Sequence, residues 1–142
     1  MFLGQYQHAI DEKGRMIIPA RFRDGLEGAL YLTQGFDQNL RVLPEKIFTS
    51  IYERVTEMST TNPAARQLRR LLFSTAQQAD IDSSGRILIP KYLREVAELE
   101  GEAVIVGVGE ALEIWSPEAW KIQNEELQDA GANAERFAAL DV

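Results

Sequence analysis

Two stretches of this 142-residue chain are near copies of one another. Residues 10–23 read IDEKGRMIIPARFR, and residues 81–94, which start 71 positions later, read IDSSGRILIPKYLR. Seven positions coincide without a gap: Ile10/Ile81, Asp11/Asp82, Gly14/Gly85, Arg15/Arg86, Ile18/Ile89, Pro19/Pro90 and Arg23/Arg94. Further along, LYLTQGFDQNLRVLPEKIF at 30–48 parallels VIVGVGEALEIWSPEAW at 104–120 once one residue is shifted. Two copies are too few for a solenoid and the period is too long, so the repeat indicates a duplicated half-domain.

Each copy contains an Asp-x-x-Gly turn between two short apolar strands. Asp11 and Asp82 suit the first position of a type I turn, because the carboxylate accepts a backbone N–H from two residues further on. Gly14 and Gly85 stand at the fourth position, where positive φ makes the bulge of a tight hairpin. These four residues are therefore predicted to shape two equivalent hairpin turns.

Alternating and apolar segments predict four strands in each copy. They are Tyr6–Ile10, Arg15–Ile18, Leu30–Thr33 and Leu40–Leu43, then Ala79–Ile81, Arg86–Ile89, Ala103–Val108 and Leu112–Trp115. Pro19 and Pro90 each suit the first position of a short helix. Longer helices are expected over Pro44–Met58, from Asn62-Pro63 to about Gln77, and from Ser116-Pro117 onward. After Gly131 the Ala-rich chain is expected to fray or to depend on a partner.

These elements predict an α+β fold in which the two halves are interlocked. Each half is too small to hold a good core alone, so the two sheets are expected to pair about a pseudo-twofold axis. Such pairing would bury both faces of the strands at 16–18 and 87–89, which are apolar on both sides.

Composition excludes several classes of protein. No apolar run approaches the roughly 18 residues of a membrane span, and AVIVGVG at 103–109 is interpreted as a buried strand. The first 15 residues do not resemble a signal peptide, and a chain without cysteine forms no disulfide, which fits a cytoplasmic protein. One histidine and no cysteine leave almost no material for a zinc site, and no metal or cofactor is expected.

The net charge of −7 is unevenly distributed. Residues 1–94 hold 13 Lys/Arg and 10 Asp/Glu, whereas residues 95–142 hold 2 and 12. The acidity is thus mostly C-terminal, and the remainder of the chain can still present a basic face to nucleic acid.

Three groups of residues invite a catalytic or metal-binding interpretation that the pattern does not favour. Asp80, Asp82 and Ser84 begin like a calcium loop, but Lys91 stands where that loop needs a bidentate Glu. His8 has no second histidine and no nucleophile in a recognisable context, so packing in a strand is the expected role. Asp11 and Asp82 would form a carboxylate pair if the pseudo-twofold axis brought them together, but their turn positions explain them without catalysis.

Arg15 and Arg86 follow the turn glycines and leave two interpretations open. Each can form a salt bridge with the Asp four residues earlier, worth about 0–1 kcal/mol when exposed. Each can also project from a rigid hairpin to reach guanine O6/N7 or a phosphate. Duplication slightly favours the second, because a twofold DNA reader needs two equivalent arginines. Lys13 adds charge to the first turn, whereas its counterpart Ser84 does not.

Other cationic and aromatic residues are expected to be structural. Arg66, Arg69 and Arg70 on one helix side could follow phosphates, but a solvated helix face is the favoured interpretation. Trp115 and Trp120 are expected to pack in the core.

The segments FLGQYQHAIDEKGRMIIPARFR and IDSSGRILIPKYLR closely resemble the MraZ family, a group of bacterial transcriptional regulators from the head of the division and cell-wall gene cluster. The resemblance covers residues 1–120 and implies tandem duplicated AbrB-like half-domains that form an interlocked β-barrel with peripheral helices. It implies a first SpoVT-AbrB-like repeat at 1–60, a connecting helix at 61–76, a second repeat at 77–130 and a C-terminal tail at 131–142.

The resemblance also implies what the chain binds. It implies a ring-shaped homo-oligomer, an octamer, that binds short direct repeats of double-stranded DNA in its own promoter as an autorepressor on the nucleoid. Carried over to this sequence, the DNA-contacting residues are Arg15 and Arg86, with Lys13 beside the first. Ser83-Ser84 brings no charge to the second turn, which predicts a weaker DNA contact there.

Two other classes of function remain as alternatives. A ring-forming scaffold or protein-binding module without DNA affinity would fit the acidic composition. An enzyme that uses the Asp11/Asp82 pair is the more distant alternative.

Overall fold

The computed structural model describes residues 1–142 and contains eight strands and six helices, which confirms the α+β class. In chain order they are β1 (Phe2–Ala9), β2 (Arg15–Ile17), α1 (Ala20–Arg23), β3 (Leu30–Gln34), β4 (Leu40–Pro44), α2 (Glu45–Thr56), α3 (Pro63–Thr75), β5 (Gln77–Ala79), β6 (Arg86–Leu88), α4 (Lys91–Val96), β7 (Glu102–Gly109), β8 (Leu112–Trp115), α5 (Pro117–Leu127) and α6 (Ala130–Arg136). A short 3-10 helix, Asp24–Leu26, follows α1. No helix has both the length and the apolar character needed to cross a membrane.

The main sheet is built by exchange of strands between the two repeats. Its six antiparallel strands run in the order β1-β7-β8-β4-β3-β5. The first strand of each repeat therefore pairs with the third strand of the other, and β4 and β8 meet in the middle. Read from either edge, the order is the same once equivalent strands are interchanged, as a pseudo-twofold axis between β4 and β8 requires.

The remaining two strands, β2 and β6, form a separate antiparallel ribbon, one strand from each repeat. The predicted hairpins are therefore only partly present, because β1 and β2 share a single bridge between Ile10 and Met16. The pairing that continues beyond each turn is made with the other repeat, because β2 pairs with β6. The main sheet is open, with β1 and β5 as its edges.

The ribbon covers the core with one face only. Met16, Ile18, Ile87 and Ile89 are fully buried and belong to a cluster of 19 buried residues between the ribbon and the sheet. The prediction that both faces of these strands are buried is wrong, because Ile17 and Leu88 are 41% and 54% exposed. Successive side chains of a strand point to opposite sides, and only the inner side has a sheet to pack against.

Helices α2 and α3 pack on the outside of β3 and β4. Phe48 of α2 stacks on Tyr31 of β3 with ring centres 4.1 Å apart. Asn62 caps α3 by accepting a hydrogen bond from the Ala64 N–H at 2.9 Å, as its Asn-Pro start predicts. The expected extension of this helix to Gln77 is wrong: α3 ends at Thr75, because residues 77–79 pair with β3 as strand β5. The strand predicted at Ala79–Ile81 is thus displaced by two residues.

The C-terminal helices lie outside the core. Ser116 caps α5, and Asp129 caps α6 through the Ala132 N–H at 3.0 Å. The segment after Gly131 is therefore helical as far as Arg136, in contrast to the expected frayed tail. Neither helix contains a buried residue, and four apolar side chains on α5 and just after α6 are exposed. These are Ile122, Leu127, Phe137 and Leu140.

Candidate nucleic-acid interface

The first Asp-x-x-Gly turn forms as predicted. The Asp11 Oδ1 atom accepts hydrogen bonds from the backbone N–H of Lys13 at 3.0 Å and of Arg15 at 2.9 Å. The Gly14 N–H donates to the Asp11 carbonyl at 2.9 Å, and Gly14 has φ +86°. A carboxylate and a glycine, both local to the turn, therefore account for its shape.

The second turn repeats this geometry. The Asp82 Oδ1 atom accepts from the N–H of Ser84 and of Arg86, each at 2.9 Å, and Gly85 has φ +79°. Because both turns are held in the same way, the residue after each glycine starts its ribbon strand in the same orientation.

Arg15 and Arg86 are each fixed by a carboxylate of their own turn. The Arg15 Nε donates to Asp11 Oδ2 at 2.8 Å, and the Arg86 Nε donates to Asp82 Oδ2 at 3.1 Å. The Arg86 Nη1 also lies 3.8 Å from Asp11 Oδ2, so the two turns are joined across the ribbon. The salt bridge that the sequence allows is thus present, and both arginines use Nε for it. Their outer N–H groups make no hydrogen bond within the chain.

The strand register brings the two arginines onto one outward surface. Arg15 pairs with Leu88 and Ile17 pairs with Arg86, and alternation turns all four side chains away from the core. These four residues are called the ribbon face below. Arg15 and Arg86 occupy one diagonal of this face, with about 30% of each side chain exposed.

Lys13 lies at the exposed tip of the first turn and makes no ion pair. Its equivalent in the second turn is the uncharged Ser84, which is also exposed. The cationic surface is therefore unequal: the first turn presents two cations and the second presents one.

Backbone hydrogen bonds favour the charged form of both turn carboxylates. The backbone N–H of Arg15 holds the pKa of Asp11 below its usual value, with further lowering by the side chain of the same arginine. The backbone N–H of Arg86 lowers the pKa of Asp82 in the same way. A pair that acts as general acid and base needs one raised pKa, because two close carboxylates resist ionising together. Both groups are instead stabilised as carboxylates, which disfavours the enzyme interpretation.

Two further arginines hold the turns, and the sequence interpretation assigned them no role. The Arg23 Nε donates to the Ile18 carbonyl at 2.8 Å, and its guanidinium covers Gly85 of the other repeat. Arg94 does the same through the Ile89 carbonyl at 3.0 Å and covers Gly14. The one sequence feature that could have indicated this role is that Arg23 and Arg94 occupy equivalent positions in the two copies. Their contacts cross between repeats, so spacing within one copy could not reveal them.

The α3 arginines are used within the chain. Arg69 donates to the carbonyls of Thr56 and Met58, and Arg66 donates to that of Thr60, so these two hold the connection between α2 and α3. Arg70 contacts Gln67 of its own helix. These contacts favour the structural interpretation over a path for phosphates.

The other sequence-level candidates lie apart from the ribbon face. His8 is half-buried in β1, opposite Ala103. Trp115 and Trp120 pack together with ring centres 5.5 Å apart, as expected. Of the calcium-loop candidates, Asp82 is engaged in its turn, and no three His, Cys, Asp or Glu side chains converge on a possible metal site.

A cavity of about 930 Å³ lies away from the ribbon arginines. Five glutamates line it beside α4 and the start of α5: Glu95, Glu98, Glu100, Glu102 and Glu118. Arg15 and Arg86 lie instead on the outward side of the ribbon, which suits a macromolecule rather than a small anionic ligand.

A family model described as "MraZ protein, putative antitoxin-like" matches the chain twice, at residues 1–71 and 72–141. A relative from Herpetosiphon aurantiacus is 43% identical over an alignment of 143 positions that covers 100% of both chains. One from Thermomicrobium roseum is 46% identical over 141 residues, 99% of each chain. One from Roseiflexus castenholzii is 47% identical over 138 residues, 97% of this chain and 94% of the relative. All three are named transcriptional regulator MraZ.

Proposed function

Since the chain belongs to the MraZ family, we propose that it is a transcriptional regulator that binds double-stranded DNA through Arg15 and Arg86, with Lys13 beside the first. The family is one of regulators and not of enzymes. The observation that carries the proposal is the ribbon face, on which two equivalent arginines occupy one diagonal and make no hydrogen bond within the chain through their outer N–H groups.

The ribbon has the strand arrangement and the side-chain chemistry for this task. A two-stranded antiparallel ribbon fits the major groove of B-DNA, and arginine donates two hydrogen bonds to guanine O6 and N7. The turn carboxylate that accepts a hydrogen bond from each Nε limits the rotamers of that arginine. Less side-chain conformational entropy is therefore lost when the outer edge of the guanidinium binds a base. Each such contact contributes about 1–3 kcal/mol. The two arginines of one subunit make too few of these contacts to select an operator alone.

We therefore propose that several copies act together as a ring, an octamer, aligned with short direct repeats in the protein's own promoter. Linked copies raise affinity because each bound hairpin increases the effective concentration of the next. The exposed apolar side chains on α5 and just after α6 provide surface for a neighbouring subunit. We infer that the ribbon closes over the sheet as an interlocked barrel in each subunit.

The first test is fluorescence anisotropy with labelled DNA from upstream of the chain's own gene, against a scrambled duplex, at two salt concentrations. The wild type is expected to prefer its own DNA and to bind less tightly as salt rises. Binding releases cations from the DNA phosphates, and this release is less favourable at a higher salt concentration. Arg15→Ala/Arg86→Ala is expected to lose about 1–3 kcal/mol of binding per arginine and less than about 1 kcal/mol of folding stability per arginine. Unfolding of this variant would mean that the salt bridges are the arginines' main role.

Lys46→Ala/Lys121→Ala is the matched control, because it removes two exposed cations from α2 and α5 and leaves the ribbon intact. It is expected to bind DNA like the wild type. Equal weak binding to both duplexes, unchanged in the arginine variant, would favour the scaffold alternative.

Assembly and regulation are tested separately. Light scattering is expected to give a mass near eight times the 16.0 kDa of one chain, and a monomer at micromolar concentration would remove the multivalent mechanism. A reporter behind the upstream DNA is expected to be repressed when the protein is supplied, which would also place the protein on the nucleoid.

A further inference from the structure

Two exposed aliphatic residues stand at equivalent positions on the ribbon face. Ile17 is 41% exposed and Leu88 is 54% exposed, although the opposite side of the same ribbon is completely buried. Single exposed aliphatic side chains are common and need no explanation. Here the duplication places one in each repeat, at the centre of the surface that carries the arginines.

The register puts each of them beside an arginine. Leu88 lies directly across the ribbon from Arg15, and Ile17 lies across from Arg86. Side chains that face each other across an antiparallel pair have Cβ atoms about 4.5–5.5 Å apart. A surface that meets one arginine therefore also meets an aliphatic side chain.

The major groove offers a matching chemistry. Among the base edges exposed there, only thymine presents an apolar group, its C5-methyl, whereas guanine presents the O6 and N7 acceptors that arginine binds. We propose that Ile17 and Leu88 are specificity-determining residues that contact thymine methyl groups next to the DNA sites of Arg15 and Arg86. The inference rests on the proposed function and adds a second base preference to it.

Charge assigns this surface to DNA rather than to a second copy of the chain. The aliphatic pair is flanked by two guanidinium groups that bind the turn carboxylates through Nε and make no hydrogen bond within the chain through their outer N–H groups, and the exposed Lys13 lies at the turn beside them. A polyanion complements such a surface. Burial against the apolar side chains of another subunit would leave these donors without partners at a free-energy cost.

Replacement of thymine by deoxyuridine isolates the methyl group. Anisotropy is measured with two labelled duplexes of the same upstream sequence, one of them carrying deoxyuridine at every thymine. Base-pairing edges and charge are the same in both duplexes. For each thymine methyl group that touches the ribbon face, the wild type is expected to bind the uracil duplex about four-fold more weakly.

The variant Ile17→Ala/Leu88→Ala is expected to bind both duplexes equally. The control Leu3→Ala/Val108→Ala removes two similarly exposed aliphatic residues that pair between β1 and β7, and it should keep the wild-type discrimination. Light scattering on all variants is expected to give the wild-type mass.

Each other outcome overturns the inference. If the wild type binds both duplexes equally while Arg15→Ala/Arg86→Ala loses binding, the proposed function stands and the methyl contact is wrong. Discrimination that persists in Ile17→Ala/Leu88→Ala also contradicts it, and a lower mass of that variant would identify the pair as a subunit contact. Absence of wild-type binding to either duplex would overturn the proposed function together with the inference.

Discussion

The contact between Arg23 and the turn at Gly85 can be tested by adding one methyl group. Gly85 has φ +79°, and an alanine in this conformation costs about 1–2 kcal/mol. Its Cβ would also lie 2.8 Å from the Arg23 Nε and closer still to the Cζ, so the guanidinium must move away. That movement breaks the hydrogen bond to the Ile18 carbonyl. Such a charged hydrogen bond contributes about 1.5–3 kcal/mol, and partial exposure of the arginine favours the lower end. Gly85→Ala is therefore expected to lower the free energy of unfolding by about 3 kcal/mol.

Gly28→Ala separates the conformational cost from the contact. Gly28 has φ +86°, but a Cβ there would meet nothing within 4 Å, so the expected loss is only the conformational cost of about 1–2 kcal/mol. Urea unfolding followed by circular dichroism measures each loss, at one protein concentration because assembly contributes to apparent stability. In an Arg23→Ala background, Gly85→Ala should cost no more than Gly28→Ala does in the wild type.

Two results would refute this reasoning. Equal losses for Gly85→Ala and Gly28→Ala would mean that the guanidinium moves at no cost. An unchanged cost of Gly85→Ala when Arg23 is absent would mean that another group opposes the methyl.

Two further outcomes follow from the local hydrogen bonds. Because backbone N–H groups lower the pKa of Asp11 and Asp82, their contribution to stability is complete near neutral pH and is lost as the pH falls through the lowered pKa, below about 4. Asp11→Asn/Asp82→Asn should therefore lose less stability than the wild type between about pH 5 and about pH 2, measured by urea unfolding, and an equal loss would contradict this. Asn62→Ala removes the cap of α3 and should lower the free energy of unfolding by about 1 kcal/mol in the same assay. An unchanged free energy of unfolding would mean that solvent replaces the cap.

The chain's local structure was largely determined by neighbouring residues in the sequence. Asp11 and Gly14 specify their turn because the carboxylate and the N–H groups it binds lie within four residues. The caps at Asn62 and Ser116 follow from the same short range. The repeat also marked Arg15 and Arg86 as an equivalent pair, since copying a segment preserves the environment of each residue.

The pairing of strands and the exposure of their faces were decided by the tertiary structure. A turn can be recognised from its own residues, but the partner of β1 or β2 lies in the other repeat, and apolar residues on both sides of β2 do not tell which side is covered. Ile17 is left exposed because the sheet lies only beneath the opposite side. The contact between the Arg23 guanidinium and Gly85 and the ion pair between Arg86 and Asp11 both cross between repeats. Such contacts require the long-range register of two halves, which local sequence does not encode.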